Sequence, residues 1–155
     1  MASPTVRVQA GDFDPAHEEA LLTQGRRDVG AVVTFIGLCR DEDGSLAALE
    51  LEHYPGMAEE EISRVAQEAL SRWPLVGLTV IHRHGSIRPG ERIVLVVAAA
   101  RHRGEAFAAA EFMMDYLKTR APFWKKERRT DGSEGGWVAA KSEDDAAAAR
   151  WSDRS

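Results

Sequence analysis

Apolar positions recur along the chain with two periods, and the switches between them mark the elements. Val29 to Leu38 reads VGAVVTFIGL, a β-rich run without charge, and predicts a largely buried strand. Asp41 to Ser45, DEDGS, is turn chemistry. Beyond it Leu49, Leu51 and His53 alternate with Glu50 and Glu52, the pattern of a strand with one wet face. Residues 46–54 are therefore expected to pair with the preceding strand as a hairpin. After the turn at Tyr54-Pro55-Gly56 the period lengthens. Ile62, Val65, Ala66, Ala69, Leu70 and Trp73 fall on one stripe, which predicts a helix from Met57 to Trp73 ended by Pro74. Glu59, Glu60 and Glu61 lie in its first turn, where the helix dipole favours negative charge.

The same reasoning covers the rest of the chain. Asp14-Pro15 is a capping residue followed by proline at the first helical position, and predicts a helix to Gln24. Val76 to His84 alternates as a strand, with Val76, Leu78, Val80, His82 and His84 on one face. Pro89-Gly90 is a turn, and Ile93 to Ala100 is a continuous apolar strand. Gly104 to Thr119 reads as a helix burying Phe107, Ala110, Met114 and Leu117, with Pro122 just past its end. A short strand is expected at Gly136 to Ala140, and a loose helix or frayed end after Ser142. Strands and helices mix without strict βαβ alternation, so the expected class is α+β. Residues 1–141 read as one domain and 142–155 as a C-terminal tail.

Composition narrows the function classes. The length of 155 residues suits one domain, and 44% hydrophobic with 29% charged residues is the balance of a soluble globular protein. Twenty Lys and Arg against twenty-five Asp and Glu give a net charge of -5, which argues against a general nucleic-acid binder. The single cysteine, Cys39, excludes an intrachain disulfide and a Cys-rich zinc site, and suggests a reducing compartment. No stretch approaches the roughly 20 apolar residues that cross a bilayer, and Met1 to Asp12 has no apolar core behind a basic start. A soluble cytoplasmic protein is the expectation. There is no P-loop, G-x-G-x-x-G or H-E-x-x-H motif.

The acidic total hides two basic segments. Lys118 to Arg129, KTRAPFWKKERR, carries six cations and one anion. Arg101-His102-Arg103-Gly104 falls between a buried strand and a helix start, where free backbone N–H groups and the positive end of a helix dipole suit a phosphate or carboxylate. Arg40 ends another buried strand. Each has a plainer reading as a solvated face or a dipole-complementing charge, as Lys118 near a helix C-terminus illustrates. Phe123 and Trp124 could stack on a heterocycle or plug the core. Cys39 beside Arg40 could be an activated thiol with His102 as its base, although a lone cysteine after a buried strand is more often packing. His82 and His84 have no Cys or carboxylate at metal-ligand spacing.

Five blocks, in order, carry a resemblance. They are GAVVTFIGLCRD (Gly30 to Asp41), LEHYPGMAE (Leu51 to Glu59), HRHGSIRPGE (His82 to Glu91), AARHRGEAF (Ala99 to Phe107) and DYLKTRAPFWKKE (Asp115 to Glu127). Together they resemble the large, catalytic subunit family of molybdopterin synthase, over about Val6 to Trp151. The resemblance implies an α/β hammerhead-type domain with an additional small antiparallel β subdomain. It implies a sulfurtransferase that converts cyclic pyranopterin monophosphate into the dithiolene of molybdopterin. The sulfur would arrive as a C-terminal thiocarboxylate on a small ubiquitin-like carrier subunit. It further implies a homodimer within a heterotetramer, no resident cofactor or metal, and no nucleic-acid or membrane partner.

Carried over by motif position, the catalytic lysines fall on Lys118, in YLKT, and Lys125, in PFWK. Substrate binding falls on Arg40, on His102 and Arg103 in AARHR, and on Lys126 and Glu127. The residue types suit the chemistry. A cyclic phosphate and a thiocarboxylate are both anions, and charge developing as an acyl group leaves sulfur is stabilised by a nearby ammonium. A lysine crowded by cations can also act as acid, base or transient nucleophile. Cys39 stands where the family more often has an apolar residue, and Lys141 where arginine is common. The chain ends Asp-Arg-Ser rather than Gly-Gly, so it resembles the receiver of sulfur and not the carrier. The rival readings are a non-catalytic scaffold for carrier or pterin, which the presence of both lysines disfavours, and a thiol hydrolase using Cys39 and His102.

Overall fold

Among the described residues eight strands and four helices alternate irregularly. In order they are β1 (Thr5–Gln9), α1 (Pro15–Thr23), β2 (Ala31–Leu38), β3 (Leu46–His53), α2 (Met57–Arg72) and β4 (Leu75–Arg83), then β5 (Gly85–Ile87), β6 (Arg92–Ala100), α3 (Arg103–Thr119), β7 (Phe123–Arg129), β8 (Glu134–Val138) and α4 (Ser142–Ala149). The computed structural model describes residues 2–138, 142–149 and 151. Lys141 and the expected continuation of the last strand through residues 139–140 lie outside the described residues.

The strands form two sheets. The first has the order β1-β4-β6-β2, with β1 parallel to β4 and the other pairs antiparallel. Leu78, Val80, Val96, Ala98 and Ala100 bury one of its faces against Ile62, Val65, Ala66 and Ala69 of α2 and Ala106, Ala109, Ala110 and Met113 of α3. Ile81, Leu95 and Val97 bury the other face against Phe13 and Leu22. Coverage on both faces explains why β4 and β6 are buried almost throughout, and why β6 reads as a continuous apolar run. The second sheet, β5-β3-β7-β8, is wholly antiparallel. Mixed secondary structure and a separate antiparallel sheet fit the expected α+β class with its small β subdomain. No helix among the described residues is long and apolar enough to cross a membrane.

The helix boundaries follow local chemistry. The Asp14 carboxylate accepts from the N–H groups of Ala16 and His17 at the start of α1. Glu59 accepts from the Gly56 N–H at 2.7 Å, so one of the three glutamates of the first turn also caps α2. The hairpin expected between β2 and β3 does not form. β2 pairs with β6 in the first sheet and β3 with β5 and β7 in the second. Between them Cys39 exchanges backbone hydrogen bonds with Glu91 and Gly90, which holds the chain at the crossing from one sheet to the other. The buried stripe of α3 is also turned from the expected one. Ala106, Ala109, Ala110, Met113 and Tyr116 pack inward while Phe107 is 61% exposed. Small residues let this helix lie close on the sheet, and the large ring is left outside.

Candidate functional site

The two sheets meet in a small cluster of Cys39, Leu51 and Ile87, flanked by Leu46, Leu49 and Ile93. Above this junction opens a cleft of 1170 Å³. The end of β2 supplies Phe35 to Leu38 and then Cys39 and Arg40; α3 supplies Lys118; and β7 supplies Lys125, Glu127 and Arg129. Three features of the sequence put the cations there. The apolar run of β2 ends at the rim, leaving Arg40 outside the sheet. Lys118 sits in the last turn of α3, where a cation complements the dipole. Period-two alternation along β7 then sends Lys125, Glu127 and Arg129 to one side and Trp124, Lys126 and Arg128 to the other.

The structure therefore brings together four of the seven residues expected at the site: Lys118, Lys125, Arg40 and Glu127. Lys126 is on the opposite side of β7, paired with Glu134 at 2.9 Å, and that carboxylate raises its pKa. His102 and Arg103 are at the other end of α3. Arg103 and Lys118 are fifteen residues apart in one helix, a separation of about 22 Å at 1.5 Å per residue. His102 occupies the N-cap position of α3 without a side-chain capping bond, so the helix start keeps the exposed N–H groups expected of an anion site.

The rim is balanced by acids. Arg40 pairs with Glu42, but both side chains are about 70% exposed, so the pair is weak and Arg40 remains available to a stronger anion. Asp41 accepts from the N–H groups of Gly44 and Leu46, and Asp43 from Ser45, so these two carboxylates shape the turn. Cys39 is 2% exposed, and burial pushes its thiol pKa up. His102, the base in the rival thiol reading, is at the far end of the first sheet, so a Cys39–His102 pair does not form within one chain. Among the described residues no group of three His, Cys, Asp or Glu could hold a metal ion.

Two features of the site were not foreseen. Arg129 lines the cleft, and the alternation Phe123, Lys125, Glu127, Arg129 would have revealed it had the segment been read as a strand. Beside the lysines lies a column of rings. His82 stacks on Phe123 at 3.9 Å, and His53 lies 4.4 Å from His84 and 5.9 Å from Phe123. Phe123 is thus a packing residue, whereas Trp124 stands 42% exposed, edge-on to Tyr54. Burial lowers the His82 pKa to about 4, and Lys125 and Lys118 add to that effect. The Nδ1–H of the neutral ring donates to the Arg83 carbonyl at 2.8 Å.

Comparison with known proteins gives a consistent result. The family model described as MoaE protein matches residues 8–120. The molybdopterin synthase catalytic subunit of Mesorhizobium japonicum is 74% identical over 149 residues, covering 96% of this chain and 94% of that relative. Molybdopterin cofactor biosynthesis protein E from Burkholderia multivorans superposes with a TM-score of 0.82 at 50% identity, covering 99% of each chain. The crystal structure of molybdopterin synthase from Staphylococcus aureus gives 0.74 at 28% identity, over 83% of this chain and 95% of that one. On the family match and the extent of these identities, the chain belongs to the MoaE family.

Proposed function

We propose that the chain is the sulfur-transferring subunit of a molybdopterin synthase, acting on cyclic pyranopterin monophosphate with a thiocarboxylated carrier as sulfur donor. The convergence of Lys118 and Lys125 with Arg40 in one open cleft carries this reading. Two consecutive elements, the last turn of α3 and the strand β7, deliver one ammonium each. Both reactants are anions, and a carrier tail can enter an open cleft that leads to these cations. The sulfur of the thiocarboxylate bonds to a side-chain carbon of the pterin as the carbon–oxygen bond there breaks, the oxygen leaving as the phosphate oxygen of the opened cyclic ester at one carbon and as water at the other. Water then attacks the carbonyl, the acyl–sulfur bond breaks, the thiolate stays on the product and the carrier leaves with a carboxylate. Ammonium groups beside the carbonyl oxygen and the departing thiolate stabilise both developing charges. A dithiolene holds two sulfurs, so the sequence runs twice.

Arg40 and Glu127 are assigned to holding the substrate from within the cleft. His102 and Arg103 cannot reach it from the same chain, so their assignment requires a second copy whose α3 start meets this cleft. The surface of β2 supports such a dimer. It is an edge strand of the first sheet, and Val32, Phe35, Ile36 and Leu38 are 38–56% exposed on it. An unpaired apolar edge of this kind is ordinarily covered by a partner. Lys126 is assigned a lesser role, because its side chain is turned away from the cleft.

The experiment is incubation of the full chain with thiocarboxylated carrier and cyclic pyranopterin monophosphate, followed by detection of the dithiolene product. Formation of product that depends on all three components is expected. Carrier binding without product would instead favour a non-catalytic scaffold.

A further inference from the structure

On the far side of α3 from Lys118 lies a second cavity, of 190 Å³, between α2, α3 and the C-terminal segment. Tyr116 and Arg120 are four residues apart and share the face of α3 that looks into it, whereas Lys118, two residues from each, is turned away. Arg64, Glu68 and Arg72 of α2 line the opposite wall, with Phe112, Ala148 and Trp151 closing it. None of these residues lines the cleft that contains Lys118.

Donors outnumber acceptors in the cavity, where Glu68 supplies the one lining carboxylate among the described residues. The Tyr116 hydroxyl and Arg72 Nη1 are buried without a hydrogen-bond partner among the described residues, and Tyr116 is 7% exposed. A buried donor without an acceptor is destabilising, so two at one cavity are expected only where something satisfies them. Arg72 is held in place from its other side. Its Nη2 donates to the Trp151 carbonyl at 3.2 Å, and its guanidinium lies 4.7 Å above the Phe112 ring. Burial and Glu61 raise the Tyr116 pKa to about 12, which keeps the hydroxyl a donor at neutral pH. Among the described residues three arginines here meet two carboxylates, Glu61 beside Arg64 at 3.2 Å and Glu68 at 3.8 Å from Arg72. The balance is one positive charge in excess.

We propose that this cavity is a second anion site, which takes a phosphate-sized tetrahedral oxyanion between the Tyr116 hydroxyl, Arg72 Nη1 and the Arg120 guanidinium. Its volume suits an ion. At 190 Å³ it is smaller than the roughly 300–1,000 Å³ of pockets that enclose larger ligands, yet holds several waters at roughly 30 Å³ each. A tetrahedral dianion offers acceptors in several directions at once and matches donors arriving from two helices, and arginine forks favour it over a point-like partner. The site stands independently of the sulfur-transfer reading, since no residue of the cleft takes part.

The test is calorimetric titration of the full chain with inorganic phosphate at fixed ionic strength, in a Lys118→Ala/Lys125→Ala background that weakens anion binding in the cleft. The companion chain adds Tyr116→Phe and Arg120→Gln, which remove one hydroxyl and one exposed charge without opening a core hole. Binding of one phosphate is expected in the background chain. In the companion it should weaken by about tenfold or more, with an unchanged circular dichroism spectrum. No saturable phosphate binding in the background chain, or equal affinity in the two chains, would overturn the proposal.

Discussion

Cys39 and His82 show how burial assigns a role to a reactive residue type. Cys39 packs at the junction of the sheets with its thiol pKa raised, which disfavours the thiolate that a nucleophile needs. Cys39→Ala should keep sulfur transfer near the parent rate while lowering stability by roughly 1–2 kcal/mol, read by product formation and chemical denaturation together. His82 is nearly fully buried, and its pKa falls from 6.5 to about 4. Between those values the unfolded chain binds a proton that the folded chain refuses. The stabilisation is therefore complete above pH 6.5 and is lost as pH falls towards 4. The shift corresponds to on the order of 3 kcal/mol, and His84, lowered for the same reason, acts in the same direction. Thermal melting should fall steeply on acidification through this window, and His82→Phe should flatten the fall while keeping the stack on Phe123.

Elements are held by a few close approaches as well as by apolar faces. At the entry to β2 a Cβ on Gly30 would stand 2.0 Å from the Arg101 carbonyl oxygen, while the Gly30 N–H donates to the Ala100 carbonyl. Gly30→Ala should force β2 and β6 apart at that end and cost about 1–3 kcal/mol in denaturant midpoint, despite adding only a methyl group. The elements legible in the sequence were those with local signals: the Asp14 cap, the α2 stripe, and the apolar runs of β2 and β6, although only β6 is buried as expected while β2 is a half-exposed edge strand. β7 was hidden because FWKKERR places charges on both faces, and its pairing with β3 is non-local. β1 was missed for a similar reason, since Thr5–Gln9 is short and gains its place from parallel pairing with β4. The sequence read after Ser142 as a tail contains α4, which is followed by Trp151, buried against Trp73 and Phe112. The site was legible in the same uneven way. Motif likeness pointed to Lys118 and Lys125, but only the fold shows that Lys126 and Glu127, adjacent in sequence, face opposite ways.

For the whole molecule, separation along α3 is the decisive geometry. A cleft that holds Arg40, Lys118 and Lys125 but uses His102 and Arg103 must draw the latter from a second copy. Light scattering should show a dimer that grows when carrier is added. Lys118→Ala and His102→Ala/Arg103→Ala chains, each inactive alone, should recover about a quarter of parent activity after unfolding and refolding together, because mixed two-fold dimers contain one intact cleft. A stable monomer, or no recovery on mixing, would contradict the shared site.

The most direct measurement of the central claim is single-turnover formation of the dithiolene by Lys118→Ala and Lys125→Ala chains supplied with thiocarboxylated carrier. Lys118 is exposed, and Lys125 lies half-buried at the cleft wall. Truncating either should leave the fold and carrier binding intact. Loss of an ammonium that stabilises transition-state charge should cost roughly 3 kcal/mol, on the order of a hundredfold in rate, with Lys126→Ala much milder. Normal turnover by both lysine variants would contradict the account.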